Sequence, residues 1–208
     1  MRMTKVDHPK RLFRYTRADF ADQMLAQGIV SLGPADLYRR QELTEAQRDD
    51  ERSRVYTPDA ARLRIMTARP NETPKQIHGV RDVRVTYQMP GYYLLCLAEE
   101  ITPEMTAAYS TDTCIEIFDP TEFFERLDKA VARQIPIYRF WTGPINYVSK
   151  NGFPEKPNNL DLIFTKFDNY AYQREYRVAL FSEDETPPDA RLFFRLGPLN
   201  DVCRPFMP

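Results

Sequence analysis

The sequence predicts an α+β fold in which strands outnumber helices. Short apolar or alternating runs recur along the chain and are separated by turn residues. Two segments carry helix signals at their ends, and the helices do not alternate with the strands, which disfavours a doubly wound parallel sheet. A chain of 208 residues is long enough for one large core, so we expect a single domain over residues 1–208. Thirteen Phe and twelve Tyr predict a core rich in aromatic side chains.

The first elements have clear local signals. Residues 12–15 are predicted to form a short strand after a basic leader. A helix is predicted to follow, with Thr16 as its N-cap and Asp19 three residues later. Gly28 is placed to end this helix in the left-handed conformation. Residues 29–32 then return as a strand.

Residues 38–79 form a charged, Arg-rich segment that we predict to be a helical or loop insertion. Its composition favours a solvated helix with i,i+4 charge pairs. The alternative is a flap that carries arginines to a polyanion. In that case a nucleic acid could contact its arginines, including Arg39, Arg40, Arg52 and Arg54. The formal net charge of -1 gives no global attraction for nucleic acid.

The remainder is predicted to be β-rich with two more helical segments. Strands are expected at 83–87, 92–97, 114–118, 137–148 (broken at residues 143–144), 177–181 and 191–196. A short helical pattern covers 99–109. A longer helix is expected to begin with Asp119 as its N-cap and Pro120 at its first position, and to stop at Pro136.

The sequence lacks the signature motifs of several classes of protein. The sequence contains no Gly-rich phosphate loop, H-E-x-x-H motif or G-x-S-x-G motif. Two histidines, His8 and His78, cannot supply a histidine metal centre or a Ser-His-Asp triad, so no metal is expected. The three cysteines are far apart, which predicts free thiols in a reducing compartment. The N-terminus does not resemble a signal peptide, and no apolar run reaches the ~20 residues that span a bilayer. We therefore expect a cytoplasmic protein without membrane contact.

Three polar features lie in apolar surroundings. The first is Arg14 with Thr16, which are two residues apart on a strand and share a face. Beside the N-terminus of the next helix they could hold a diphosphate or a ribose. Their spacing alone is more typical of a surface strand followed by a helix cap.

The second feature is residues 170–177, where Gln173, Glu175 and Arg177 would share one face of a strand. Cleavage of a nicotinamide–ribose bond develops an oxocarbenium-like cation, which a carboxylate can stabilise while a nearby amide orients the acceptor. Spacing alone favours an edge strand kept soluble by Glu–Arg pairs. The third feature is the hydroxyl cluster Tyr109–Ser110–Thr111, which is most typical of a turn or helix stop.

The order of these features resembles a known fold. The opening LFRYTRADFADQMLAQGIVSL resembles the first motif of the ADP-ribosyltransferase fold of bacterial toxins and defence proteins. The later segment FTKFDNYAYQREYRVALF resembles its third motif, an [E/Q]-x-E at the start of a strand. The middle of the chain, with YYLLCLAEE and INYVS, is similar to a widespread uncharacterised bacterial family. The resemblance covers most of residues 11–200.

The resemblance implies mostly antiparallel, split β-sheets with a few flanking helices, and NAD as the substrate. Carried over by position, it places Arg14 and Thr16 at NAD and Tyr109 and Ser110 at the second motif. It makes Glu175 the catalytic glutamate and Gln173 the acceptor-orienting residue. The implied activity is transfer of ADP-ribose to a nucleic acid or protein, in a toxin or in phage defence. The alternative is a non-catalytic binding module for a nucleotide or a protein, since Gln173 leaves only one carboxylate at this motif.

Overall fold

A computed structural model of the chain describes residues 7–40, 43–44, 49–57, 73, 83–109, 111, 113–149, 152, 157–182 and 190–206. Its α-helices are Ala18–Gln27 (α1), Pro103–Tyr109 (α2), Pro120–Gln134 (α3) and Asn159–Ile163 (α4). Its strands are Leu12–Thr16 (β1), Ile29–Pro34 (β2), Ser53–Tyr56 (β3), Val85–Gln88 (β4), Tyr93–Ala98 (β5), Thr113–Ile117 (β6), Tyr138–Pro144 (β7), Asn146–Val148 (β8), Thr165–Phe167 (β9), Glu175–Ser182 (β10), Leu192–Arg195 (β11) and Cys203–Phe206 (β12). Short 3-10 helices occupy Ala35–Arg39 and Asp168–Gln173.

Eight of these strands form one antiparallel sheet. Its order is β11-β2-β5-β1-β6-β12, and β10 pairs with both β5 and β7. Two small sheets stand apart from it, an antiparallel β3–β4 pair and a parallel β8–β9 pair. The expected α+β class with mostly antiparallel strands is therefore confirmed. Within the described residues, no helix is both long and apolar enough to cross a membrane.

The sheet divides along one edge of β5. On one edge, β10 pairs with β5 over its whole length, from Tyr93 to Ala98. On the other edge, β1 and β2 share the available length, with Phe13 opposite Ala98 and Gly33 opposite Leu94. Both strands run antiparallel to β5 and cannot occupy the same stretch of its edge, so they diverge. A cleft opens between them, and α1 is the connection from one to the other.

The helix α3 forms as the sequence predicts. The Asp119 side chain accepts a hydrogen bond from the backbone N–H of Glu122, and Pro120 is in the first turn. The apolar face of α3 packs with α1 against one face of the large sheet and contributes Phe123, Phe124, Leu127 and Val131 to the core. A second apolar cluster on the opposite face includes Tyr92, Leu94 and Ala179 together with α4.

The start of α1 differs from the prediction, whereas its end agrees. Thr16 is the last residue of β1, and Arg17 takes the N-cap position without a side-chain cap. The register with β6, which pairs Thr16 with Thr113, extends the strand through the expected cap. Gly28 ends the helix in the left-handed conformation, with φ of 64°, as predicted.

The charged segment at 38–79 is not a solvated helix where it is described. Residues 53–56 form β3, which pairs with β4, and Glu51 and Arg54 are buried. Glu51 forms a long-range ion pair with Arg177, and Arg54 forms a local one with Glu51, so burial leaves neither charge unpaired. Residues 41–42, 45–48, 58–72 and 74–79 lie outside the described part of the chain.

The segment around Gln173 also departs from the prediction of one continuous strand. Gln173 ends a 3-10 helix, and β10 begins only at Glu175. Between them Arg174 adopts φ of 43°, which breaks the alternation of side chains. Sequence reasoning missed α4 and β12, whose signals are short.

Candidate functional site

The cleft between β1 and β2 is the candidate functional site. Its volume is about 380 Å³. Residues from both diverging strands, α1, position 111 and the start of β11 line it: Arg14, Tyr15, Thr16, Arg17, Phe20, Gln23, Met24, Ile29, Ser31, Thr111, Arg191 and Phe193. Leu12 and Arg14, two residues apart, share a face of β1; Leu12 belongs to the main core, and Arg14 lines the cleft.

Arg14 is the central cation of the cleft. It is partly buried, and its guanidinium makes no hydrogen bond or ion pair with any described residue. Burial lowers the pKa of Arg14, Tyr38 and Cys96 counteract this, and the positive charge of Arg191 lowers it further. An arginine stays protonated in spite of such shifts. Three arginines and no carboxylate belong to the described lining, so the cleft is suited to an anion.

The second predicted motif lies beside the first. The ring of Tyr109 stacks on Tyr15, with centroids 5.3 Å apart and planes inclined by 19°. Thr111 lines the cleft directly. Ser110 lies outside the described residues. Two segments almost a hundred positions apart in the sequence are thus brought together at one side of the cleft.

Glu175 is close in the sheet but is not part of the lining. It lies opposite Ala98, which lies opposite Phe13, so one strand separates Glu175 from β1. One carboxylate oxygen accepts a hydrogen bond from Arg177 Nε at 2.7 Å, and the other is 2.7 Å from Lys166 Nζ. Only 3% of the residue is exposed. Burial alone would raise the pKa of Glu175, but Arg177 and Lys166 hold it well below its usual range.

These contacts belong to a larger group of buried charges that we call the ion cluster: Asp49, Glu51, Arg54, Lys166, Glu175 and Arg177. Glu51 and Arg177 form its centre through two contacts of 2.9 Å. The cluster contains three cations and three acidic side chains, so every charge in it has an opposite charge nearby. This balance is what allows six ionisable groups to remain inside the protein.

Gln173, the predicted acceptor-orienting residue, forms a hydrogen bond with this cluster. Its side-chain oxygen accepts a hydrogen bond from Lys166 Nζ at 3.1 Å, and the residue is buried. Sequence reasoning did not identify Lys166 or Glu51. For Lys166 a signal was available, because it is a lysine close to the apolar residues Phe164 and Phe167. Glu51 lies in a run of charges typical of a surface and gave no such signal.

Cys96 lies between the cleft and the ion cluster. It is opposite Arg177 in the β5–β10 register, and its Sγ is 3.9 Å from the Tyr38 hydroxyl. It contributes to the pKa shift of Arg14 on one side. On the other side, burial and then Glu175 raise the pKa of the Cys96 thiol to about 12. Arg14 and Glu175 are therefore both close to the Cys96 side chain, and no hydrogen bond or ion pair joins these two described residues.

The arginines proposed for nucleic-acid contact have different environments. Arg39 and Arg40 are exposed. Arg52 donates to Asp36 at 2.7 Å and to the carbonyl of Met89. Arg54 is only 5% exposed and belongs to the ion cluster. Of these four arginines, Arg39 and Arg40 are therefore the most exposed, and Arg39 is already close to Asp36 and Asp50.

Comparison of the chain with protein-family models, curated protein sequences and solved structures gives no match. Within the described residues, no group of His, Cys, Asp and Glu side chains could hold a metal ion. The three cysteines, Cys96, Cys114 and Cys203, are free thiols. The lining of the cleft offers guanidinium, hydroxyl, amide and aromatic groups.

Proposed function

We propose that this protein is a nucleotide-binding protein of ADP-ribosyltransferase-like type, with NAD as the ligand and its diphosphate held by Arg14. One observation carries the proposal: a partly buried guanidinium that forms no ion pair with a described residue faces a cleft whose described lining contains no carboxylate. The volume of about 380 Å³ is within the range of small-molecule sites.

The cleft offers groups for each polar part of such a ligand. A guanidinium forms strong, charge-assisted hydrogen bonds with phosphate oxygens. The side chains of Thr16 and Ser31 line the same space and can bond to phosphate or ribose oxygens. The strands that border this space are paired on their other edges, β1 with β6 and β2 with β11, which holds their backbone in place around the cleft.

Binding without turnover is the function that the arrangement supports best. A catalytic glutamate must contact the ribose as positive charge develops on it. Here both oxygens of Glu175 are engaged by cations of the ion cluster, and the residue is almost fully buried. A nucleotide in the cleft would not reach this carboxylate while these contacts persist.

Transfer of ADP-ribose from NAD to a protein or nucleic acid is the second candidate. The stacking of Tyr109 on Tyr15 and the cross-strand row Phe13–Ala98–Glu175 favour it, since they bring the three motif segments together. This activity requires Glu175 to exchange one of its cation contacts for a ribose hydroxyl. Toxin or phage-defence roles would follow from such a transfer.

Equilibrium titration with NAD tests the binding proposal. We expect Arg14→Gln to weaken NAD binding by about 10-fold or more, because the diphosphate loses its main cation. Arg11→Gln is the matched control, since Arg11 is exposed near the start of β1 and does not line the cleft. Equal affinity of the Arg14 and Arg11 variants would refute the assignment of the diphosphate to Arg14.

A label-transfer assay separates the two candidates. NAD tagged on its adenosine is incubated with a bacterial lysate and either the wild type or Glu175→Gln. Labelled polymers with the wild type alone would establish transfer. Nicotinamide release without labelled polymers would indicate NAD hydrolysis. NAD binding with neither product is the result that we expect.

A further inference from the structure

We propose that Arg191 and Phe193, at the start of β11, complete the cleft as a site for a nucleoside diphosphate. Arg191 would share the diphosphate with Arg14, and Phe193 would stack on the base. This inference rests on the proposed function and adds two ligand-binding residues that the sequence motifs do not contain. It also identifies the ligand's recognised part as a base joined to two phosphates.

The absence of a side chain at Gly33 leaves space for the Arg191 side chain to reach the cleft. A Cβ on Gly33 would lie 3.1 Å from Arg191 Nη1, which is closer than side chains normally pack. The backbone of Gly33 does not require glycine, since the positive-φ glycines of the described chain are Gly28 and Gly197. The missing side chain therefore provides space for the guanidinium as it passes over β2.

The charges of the cleft favour two phosphates over one. Arg191, like Arg14, has no hydrogen bond or ion pair with any described residue. The two guanidiniums are close enough for Arg191 to lower the pKa of Arg14. An anion bound between them would replace this repulsion with attraction to both cations. A diphosphate has enough negative charge and enough oxygens to engage both.

Two exposed rings flank these cations. Phe193 lies opposite Ser31 in the β2–β11 register and is 53% exposed. Phe20, on α1 at the same cleft, is 49% exposed. Apolar rings with this exposure beside a cationic pocket match a ligand that has a flat base next to its phosphates, because bases stack on aromatic side chains.

Titrations with ADP and AMP test the inference. For the wild type we expect ADP to bind about 10-fold more tightly than AMP, because the second phosphate reaches the second guanidinium. Arg191→Gln should remove most of this difference. Phe193→Ala should weaken the binding of ADP and of AMP to the same extent, by about 5-fold or more. Arg195→Gln is the control, because Arg195 is exposed on the same strand but does not line the cleft.

Gly33→Ala provides an independent test of the path taken by Arg191. It should weaken ADP binding less than Arg191→Gln does, because the guanidinium at the end of a flexible side chain has to shift by a few tenths of an ångström. The double variant should bind no more weakly than Arg191→Gln alone. If Gly33→Ala does not fold, the Arg191 and Phe193 variants decide the question. Weak NAD binding in Arg14→Gln with unchanged ADP binding in Arg191→Gln would overturn this inference and leave the proposed function intact. A wild type that binds neither NAD nor ADP would overturn both.

Discussion

Glu51 and Arg177 lie 126 positions apart in the sequence and form a bidentate ion pair, with Nη1–Oε2 and Nη2–Oε1 distances of 2.9 Å. Both side chains are almost completely buried. The pair attaches the segment before β3 to β10 in the centre of the large sheet. Through Arg177 it also fixes Glu175, so the position of the predicted catalytic glutamate depends on a distant carboxylate.

Removal of the negative charge of Glu51 should destabilise the protein. We expect Glu51→Gln to lower the free energy of unfolding by about 3 kcal/mol, because buried cations lose a neutralising partner. Urea denaturation followed by circular dichroism measures this loss. In the control Glu125→Gln, an exposed pair with Lys129 is lost, and the change should stay below about 0.5 kcal/mol. Similar losses in the two variants would contradict the structural role of the ion cluster.

The ion cluster should also make stability depend on pH. Burial opposes ionisation of Glu51, but Arg177, Arg54 and Lys166 hold its pKa at about 2, below the ordinary value of 4.5. Because the pKa of Glu51 is lower in the folded state, its ionised carboxylate stabilises the fold above pH 4.5. This stabilisation is lost as the pH falls towards 2 and the carboxylate becomes protonated. Glu175 acts in the same direction. Asp49, whose pKa is raised by burial and then by Glu51, acts in the opposite direction and reduces the slope.

Thermal melting between about pH 6 and about pH 2.5 measures this dependence. The melting temperature of the wild type should fall across this range, and Glu51→Gln should show a shallower fall. Parallel curves for the two proteins would exclude Glu51 as a source of the pH dependence.

Two glycines that are close in space should respond differently to alanine. Gly28 has φ of 64°, and a Cβ there would overlap the carbonyl of Gly197. Gly28→Ala should therefore lower the free energy of unfolding by at least about 3 kcal/mol. Gly197 has φ of 82° but no atom within 4 Å of its added Cβ. Gly197→Ala should cost only about 1 kcal/mol, from backbone strain. Equal losses of unfolding free energy in urea denaturation would show that the backbone segments at Gly28 and Gly197 do not approach each other closely.

All three thiols should react slowly in the folded protein. Burial is the main cause that raises the pKa of Cys96, Cys114 and Cys203 to about 12 each. Because the thiolate is the reactive form, iodoacetamide at about pH 8 should modify the native protein roughly 100-fold more slowly than the denatured protein. Mass spectrometry of timed samples gives the rates. Rapid modification of one thiol in the native state would contradict its buried, neutral environment.

Local patterns predicted the elements whose signals are local. Asp119 and Pro120 identified the start of α3, and Gly28 identified the end of α1. The alternation of β1 placed Arg14 and Thr16 on one face, and both residues line the cleft. These predictions succeed because each depends on neighbours within a few positions.

The ion cluster could not be predicted in this way. Asp49, Glu51 and Arg54 have the pattern of a solvated surface, and the burial of the two carboxylates depends on Lys166 and Arg177, which are far away in the sequence. Gln173 and Glu175 alternate as in a strand, but the left-handed Arg174 separates them. The contribution of Arg191 to the cleft depends on the pairing of β11 with β2, which follows from the topology of the sheet rather than from a motif.

Photolabelling tests the location of the nucleotide site most directly. NAD with an azido group on its adenine is irradiated with the protein, and the labelled tryptic peptides are identified by mass spectrometry. We expect label on peptide 18–39, which carries cleft residues of α1 and β2, or on peptide 192–195, which carries Phe193. Excess ADP should remove this label. Label confined to peptide 140–150, beside the separate pocket at Trp141, would contradict nucleotide binding between β1 and β2.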